Sequence, residues 1–189
     1  MGNLSVIGGR VKGFKLQSVP GSGTRPIMSM VKAALFNIVS PYVLDSSWLD
    51  LFAGTGSVGI EALSRGAAIA RFVENSNQAV KTIHANLEHT ALSEWGEVWR
   101  KNTFSVLSEL ADRQFDFVFI APPQFKDIWS RALLALDQNP SWLLEDSWVI
   151  VQIDKVEYKD QPLENLELLR RETYGSTQLV FYMVKDGVV

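Results

Sequence analysis

Apolar residues along this chain repeat with two periods, and the period switches many times between them. Met28, Val31, Leu35, Ile38 and Val39 recur at helical spacing until Pro41 ends the run, with Pro26 placed to start that helix. From Trp48 onward the two patterns alternate. Strand-like runs cover 48–52, 71–74, 97–100, 115–121 and 148–153. Helical runs cover 58–65, 77–91 and 104–110, and Ile128, Trp129, Ala132, Leu133 and Leu136 mark one more. Ser76 is placed to cap the helix over 77–91, whose Val80, Ile83 and Leu87 share a face. The ends of the chain differ from its middle. Residues 4–19 read as a β-hairpin with glycine-bearing turns at Gly8–Gly9 and Gly13, and 20–26 as a loop. Strands over 166–173 and 178–184 flank a Tyr-Gly-Ser turn, and the polar stretch 155–165 is too short for a crossover helix. Alternating elements predict a mostly parallel sheet with helices on both faces. The closing hairpin predicts an antiparallel strand at one edge.

Composition adds exclusions. The 189 residues are 47% hydrophobic and 21% charged, which is ordinary for a globular chain and rules against disorder. The absence of cysteine excludes disulfides and thiolate metal sites and fits a reducing compartment. The N-terminal stretch lacks the apolar run of a signal peptide, and no stretch approaches a membrane span. The expectation is a cytoplasmic protein without a membrane partner. His84 and His89, the two histidines, are five apart on a predicted helix and do not share a face, so no metal site is expected. The six tryptophans are scattered and are expected in the core.

Charge is unevenly spread. The first 44 residues hold no Asp or Glu but carry Arg10, Lys12, Lys15, Arg25 and Lys32, a charge of +5, while the remainder carries −8. Such asymmetry points toward nucleic acid, with a merely solvated basic hairpin as the alternative. Arg10, Lys12, Lys15 and Arg25 are the candidate RNA contacts.

The chemistry concentrates in WLDLFAGTGSVGIEAL, which runs from strand to helix through Gly54, Gly56 and Gly59. Glycine permits a sharp turn and a close backbone approach to a ligand. Glu74 lies 20 residues past Gly54, at the end of the next strand, where an acid takes a ribose hydroxyl pair. Taken alone, the glycines and Glu74 match a dinucleotide fingerprint. Asp50, four residues before Gly54, pulls the reading away from that. A carboxylate there suits a cationic amine, such as the methionyl end of S-adenosylmethionine.

DLFAGTGSVGIEALSRGA resembles the first motif of the RsmD-type methyltransferases, which act on the exocyclic N2 of a guanine in 16S ribosomal RNA. The likeness runs nearly end to end. VIGGRVKGFKL resembles the family's N-terminal hairpin, TRP with VKAALFNIV its first helix, and FVEN its ribose-binding strand end. The resemblance implies a Rossmann-like class I methyltransferase, an α/β fold with a seven-stranded, mostly parallel sheet whose C-terminal strand is antiparallel. It implies a single domain over 1–189, with a basic hairpin and helix in 1–44 and the Rossmann-like core in 45–189. It further implies S-adenosylmethionine on Asp50, Phe52, Gly54, Thr55, Gly56, Glu74 and Asn75, with Asn102 and Thr103 at the adenine. The implied partner of a monomeric enzyme is ribosomal RNA or a small-subunit assembly particle.

The family's fourth motif is Asp or Asn, then Pro, Pro and an aromatic residue, which hold the acceptor base. This chain has Ala121, Pro122, Pro123, Gln124 and Phe125, so the polar residue is absent and the aromatic comes one place late. Ala121, Pro122, Pro123 and Phe125 are the candidate catalytic residues. Upstream, Ile27, Ser29, Met30 and Ala33 stand where the family tends to have Thr, Asp, Arg and Glu. Two alternatives follow from these departures: a relative that binds cofactor and RNA without transferring methyl, and a methyltransferase for a protein or small molecule.

Overall fold

Helix and strand alternate in the computed structural model, which describes residues 4–21 and 27–188. The elements are α1 (Ser29–Val39), β1 (Ser47–Asp50), α2 (Ser57–Ser64), β2 (Ile69–Val73), α3 (Asn77–His89), β3 (Gly96–Trp99), α4 (Thr103–Leu107), β4 (Phe115–Ile120), α5 (Ile128–Gln138), β5 (Leu143–Asp154), β6 (Leu166–Tyr174) and β7 (Thr177–Val184). The seven strands follow the sheet order β3-β2-β1-β4-β5-β7-β6. Contacts gather in two compact units, Met1–Lys101 and Asn102–Val189. Among the described residues no helix is long and apolar enough to cross a membrane.

In the first unit β1, β2 and β3 are parallel, with Asp50 opposite Phe72 and Val73 opposite Trp99. All eight residues of α2 are buried, Glu61 among them at 0% exposure. A carboxylate buried so completely needs partners. Glu61 Oε2 lies 3.1 Å from Lys32 Nζ and accepts the Ile7 N–H at 2.9 Å. Glu61 Oε1 accepts from Arg65 Nε at 2.9 Å. Lys32 donates also to the Ser5 carbonyl at 2.7 Å and to Ser57 Oγ at 3.0 Å. Burial pulls the Lys32 ammonium below its ordinary pKa, and Glu61 acts the other way. This corrects the charge reading: Lys32 is buried and paired, so it adds nothing to a basic surface.

The N-terminal segment is less regular than a β-hairpin. Leu4 pairs with Leu16 and Val6 with Phe14 by backbone hydrogen bonds, but Ser5–Lys15 is an isolated bridge. Gly8 and Gly9 do not turn one strand into another. They press the segment onto the end of α2, where Ser64 Oγ donates to the Gly8 carbonyl and the Arg10 N–H donates to the Ser64 carbonyl at 2.7 Å. A Cβ at Gly9 would stand 1.9 Å from that Ser64 carbonyl oxygen. In α1 the buried set is Val31, Lys32, Leu35, Phe36 and Val39, while Met28 precedes the helix and is exposed. Pro26 and Arg25 lie outside the described residues.

In the second unit β4 and β5 are parallel, and β7 runs antiparallel to both β5 and β6. The antiparallel strand is therefore inside the sheet, not at its edge. The reason is in the side chains: six of the eight residues of β7 are buried, whereas β6 carries Glu167, Arg170, Arg171 and Glu172 and is mostly exposed. The two strands turn through Gly175 and Ser176, with Gly175 at φ 63°. Strand β5 starts five residues earlier than its apolar run, because Ser147 Oγ bonds the Phe115 carbonyl across a register shift and lets 144–146 stay exposed within the strand. Helix α4 is shorter than 104–110: Asn139 Nδ2 takes the carbonyls of Leu107 and Glu109, and Leu110 is exposed. Trp48, Trp129 and Trp142 are buried as expected, while Trp95, Trp99 and Trp148 are half-buried.

Removing one partner of a buried ion pair leaves the other charge uncompensated, at a cost of about 3–5 kcal/mol. Glu61→Ala is expected to destabilise by about that much and Glu61→Gln by less, read as a lower urea midpoint at unchanged slope.

Candidate functional site

Strand β1 ends at Asp50, and the chain turns at once through Gly54 at φ 55° and Gly56 at φ 77° into α2. A Cβ on Gly54 would meet nothing nearer than the Phe52 carbonyl oxygen at 4.0 Å. Its glycine is required by the left-handed backbone, and the space above it is open. The Gly56 N–H closes the turn on the Ala53 carbonyl at 2.7 Å.

Glu74, one residue past β2, braces this loop. Its Oε2 accepts the Gly54 N–H at 2.9 Å and its Oε1 accepts the Ser76 N–H at 2.8 Å. Each oxygen keeps a second lone pair for a ligand hydroxyl. The parallel register makes the contact possible, since the Ala53 N–H bonds the Val73 carbonyl next to Glu74.

Asp50 is only 3% exposed, and its Oδ1 has no hydrogen-bond partner among the described residues. Burial pushes the carboxyl up to about 7, against a backbone hydrogen bond from Phe52 that lowers it, and the Glu74 carboxylate adds to the rise. A buried acceptor left unpaired is costly, and such groups gather at functional sites. A hydrogen-bond donor would satisfy it, and one with positive charge would also favour the ionised carboxylate. Asp50, the glycine turn and Glu74 thus form a cradle that combines an unsatisfied buried carboxyl, an open turn and a carboxylate with lone pairs to spare.

Thr55 is buried, Phe52 half-buried and Asn75 exposed. One residue of this cradle was not found from the sequence. Asn86, at 0% exposure on α3, donates to the Thr55 carbonyl at 2.9 Å and exchanges hydrogen bonds with the backbone of Gln17. It fixes the loop and the N-terminal segment together. The signal available was its place beside Leu87 on the apolar face of that helix.

In the second unit, Asn102 Oδ1 caps α4 by accepting the N–H groups of Phe104 and Ser105, and Thr103 is buried. After β4, Pro122 is buried, Ala121 and Gln124 are half-buried, and Pro123 is exposed. Phe125 is 66% exposed at φ 61°, so it is not a core residue.

Arg10, Lys12 and Lys15 are exposed together around the N-terminal turn, with the Arg10 guanidinium 4.0 Å above the Trp95 ring. Arg25, the fourth candidate, lies outside the described residues. His84 and His89 are exposed on α3, and the His89 ring lies 5.4 Å from that of Phe14. Among the described residues no group of three or more His, Cys, Asp or Glu is placed to hold a metal.

Comparison with known proteins gives a consistent picture. The family model described as conserved hypothetical protein 95 matches residues 4–183. The ribosomal RNA small subunit methyltransferase D of Haemophilus influenzae is 34% identical over 186 residues, covering 96% of this chain and 94% of that one. The solved structure of yhhF from Escherichia coli superposes with a TM-score of 0.85 at 30% identity, covering 97% of this chain and 99% of that one. An RNA methyltransferase from Salinibacter ruber, solved with S-adenosyl-L-homocysteine, shares the fold at 14% identity and a TM-score of 0.66, covering 87% of this chain and 97% of that one.

The raised carboxyl has a stability consequence. Because Asp50 ionises near pH 7 in the fold but near its ordinary 3.8 when unfolded, its contribution is full below about pH 4 and is lost as pH rises through about 7. Asp50→Asn cannot ionise and escapes that loss. Its denaturation midpoint relative to wild type is expected to rise between pH 4 and pH 8. A constant difference across that range would mean that Asp50 is ionised throughout.

Proposed function

The chain belongs to the family that the conserved hypothetical protein 95 model describes, the RsmD-type methyltransferases, and from that premise we propose that it methylates the exocyclic N2 of a guanine in 16S ribosomal RNA. The observation that carries the cofactor reading is the orphaned Asp50 Oδ1 beside the glycine turn and Glu74. S-adenosylmethionine, when bound, supplies an electrophilic methyl on its sulfonium. Asp50 takes its amine, and the turn from Phe52 through Gly54, Thr55 and Gly56 follows the methionyl end. Glu74, with Asn75 beside it, takes the ribose hydroxyls, and Asn102 and Thr103 serve the adenine.

Methyl transfer is an in-line displacement, and a protein contributes mainly orientation and electrostatics. A guanine amine is a weak nucleophile because its lone pair is delocalised into the ring. Acceptors on its N–H groups restore and aim that lone pair. With Ala121 in place of Asp or Asn, the backbone carbonyl of Ala121 or Pro122 is the remaining acceptor. The exposed Phe125 ring stacks on the base, which must be unpaired or flipped out. Arg10, Lys12, Lys15 and Arg25 hold the RNA backbone. The protein works as a cytoplasmic monomer and a single methyltransferase domain, on small-subunit RNA or an assembly particle containing it.

The test is incubation with labelled S-adenosylmethionine and unmodified small-subunit RNA, followed by nucleoside analysis. Label in N2-methylguanosine is expected. Ala121→Asp adds an acceptor and is expected to raise the single-turnover rate about tenfold, the equivalent of 1.4 kcal/mol, with cofactor affinity unchanged. Robust wild-type transfer that falls on adding the carboxylate would identify a different acceptor.

The basic turn makes a separate prediction. Replacing Arg10, Lys12 and Lys15 together by Gln is expected to weaken RNA binding and flatten its salt dependence, since fewer counterions are released. Unchanged binding at every salt concentration would reduce the turn to a solvated surface.

A further inference from the structure

The loop after β4 holds two non-glycine residues in the left-handed region, Phe125 at φ 61° and Asp127 at φ 53°. For a bulky residue this backbone is an outlier, and it persists only where the surroundings impose it. What imposes it here is the polar stretch after β5. The Phe125 N–H donates to Glu157 Oε1 at 2.7 Å. Asp127 Oδ1 lies 2.8 Å from Lys159 Nζ and also accepts from Ser130 Oγ at 2.9 Å. The Tyr158 ring stacks on Trp129, with centroids 6.4 Å apart. Three consecutive residues, Glu157 to Lys159, thus clasp residues 125–129.

Glu157 is itself fixed. It closes a capping box with Asp154, accepting the Asp154 N–H on Oε2 at 3.4 Å while Asp154 Oδ1 accepts the Val156 N–H at 3.1 Å. Its carboxylate therefore arrives at the Phe125 amide already oriented. A hydrogen bond to an ionised acceptor is stronger than a neutral one. The result is an aromatic ring that is 66% exposed on a backbone held by a hydrogen bond from its own amide. A fold that wanted only to close this loop would gain by turning the phenyl inward. An exposed aromatic on a fixed backbone is instead a stacking surface that loses little entropy when a base lands on it.

We propose that Glu157 is a positioning residue for the acceptor base: through its hydrogen bond to the Phe125 amide it holds the ring in the orientation that stacks on the RNA. The proposal rests on the reading that Phe125 faces an RNA base, and it adds a residue from a stretch that reads in sequence as a mere connection. Lys159 supports the same loop through Asp127, more weakly, because both side chains are about half exposed.

The experiment is a double-mutant cycle on the full chain. Wild type, Glu157→Ala, Phe125→Ala and the double variant are titrated with unmodified small-subunit RNA in saturating S-adenosylhomocysteine. Each single variant is expected to bind RNA about tenfold more weakly, and the double variant no more weakly than Phe125→Ala alone, because Glu157 acts through the ring. Glu157→Gln, which keeps an acceptor oxygen, is expected to recover part of the loss. S-adenosylhomocysteine affinity stays constant throughout. Amide exchange at Phe125 is expected to speed up in Glu157→Ala without a change in global stability. Additive losses, an unaffected Glu157→Ala, or unchanged exchange at Phe125 each overturn the proposal. Labelled methyl transfer is measured in parallel. An intact binding cycle with no transfer by wild type would sink the methylation reading and leave the positioning role standing.

Discussion

A carboxylate with no access to water governs the first half of this protein. Glu61 sits in the middle of a helix whose every residue is buried, and Lys32, Arg65 and the Ile7 amide converge on it. Those partners come from α1, from the end of α2 and from the N-terminal segment. Satisfying one charge therefore fixes three pieces of chain. It also fixes the glycine turn, because α2 begins at Ser57, directly after Gly56, and Lys32 donates to the Ser57 hydroxyl. Hydrophobic burial alone would hold these elements together without specifying their register so narrowly, since apolar contacts are not directional.

Asp50 is the opposite case. It is nearly as buried as Glu61, yet one of its oxygens has no partner among the described residues. The fold carries that cost at the end of β1, where the neighbouring carboxylate of Glu74 makes ionisation harder still. The two buried acids are distinguished by satisfaction, not by depth. One holds the structure together, and the other keeps an unsatisfied oxygen beside the glycine turn. Glu74 combines features of both, bracing Gly54 and Ser76 while each of its oxygens keeps a spare lone pair. A glycine turn held this way is preorganised, so little has to be ordered when a ligand settles against it.

The second unit shows polar residues doing similar work on loops. Asp137, 1% exposed on α5, accepts the N–H groups of Glu164, Asn165 and Leu166 and so pins the entry to β6. Glu157 does the same for the strained loop at Phe125. Neither connection has secondary structure of its own to satisfy its backbone, and a carboxylate on a neighbouring element supplies what a ladder would.

Element type and order were legible in the sequence because period is a local property. The alternation of strand and helix, the glycine turn and the placing of Asp50 and Glu74 at strand ends all follow from spacing along the chain. So did the exposure of Arg10, Lys12 and Lys15, which polar side chains favour in any fold. Tertiary structure decided whatever depended on a partner distant in sequence. Lys32 reads as surface charge until Glu61 is brought against it, 29 residues away. Strand β7 sits inside the sheet because its apolar residues had to be covered on the side where β6 could spare exposed charge. Asn86 and Glu157 look like ordinary polar residues, and only the fold shows which backbone amides and carbonyls they meet. The Phe125 backbone is the clearest instance: left to itself it would avoid the left-handed region, and a carboxylate 32 residues further along the chain keeps it there.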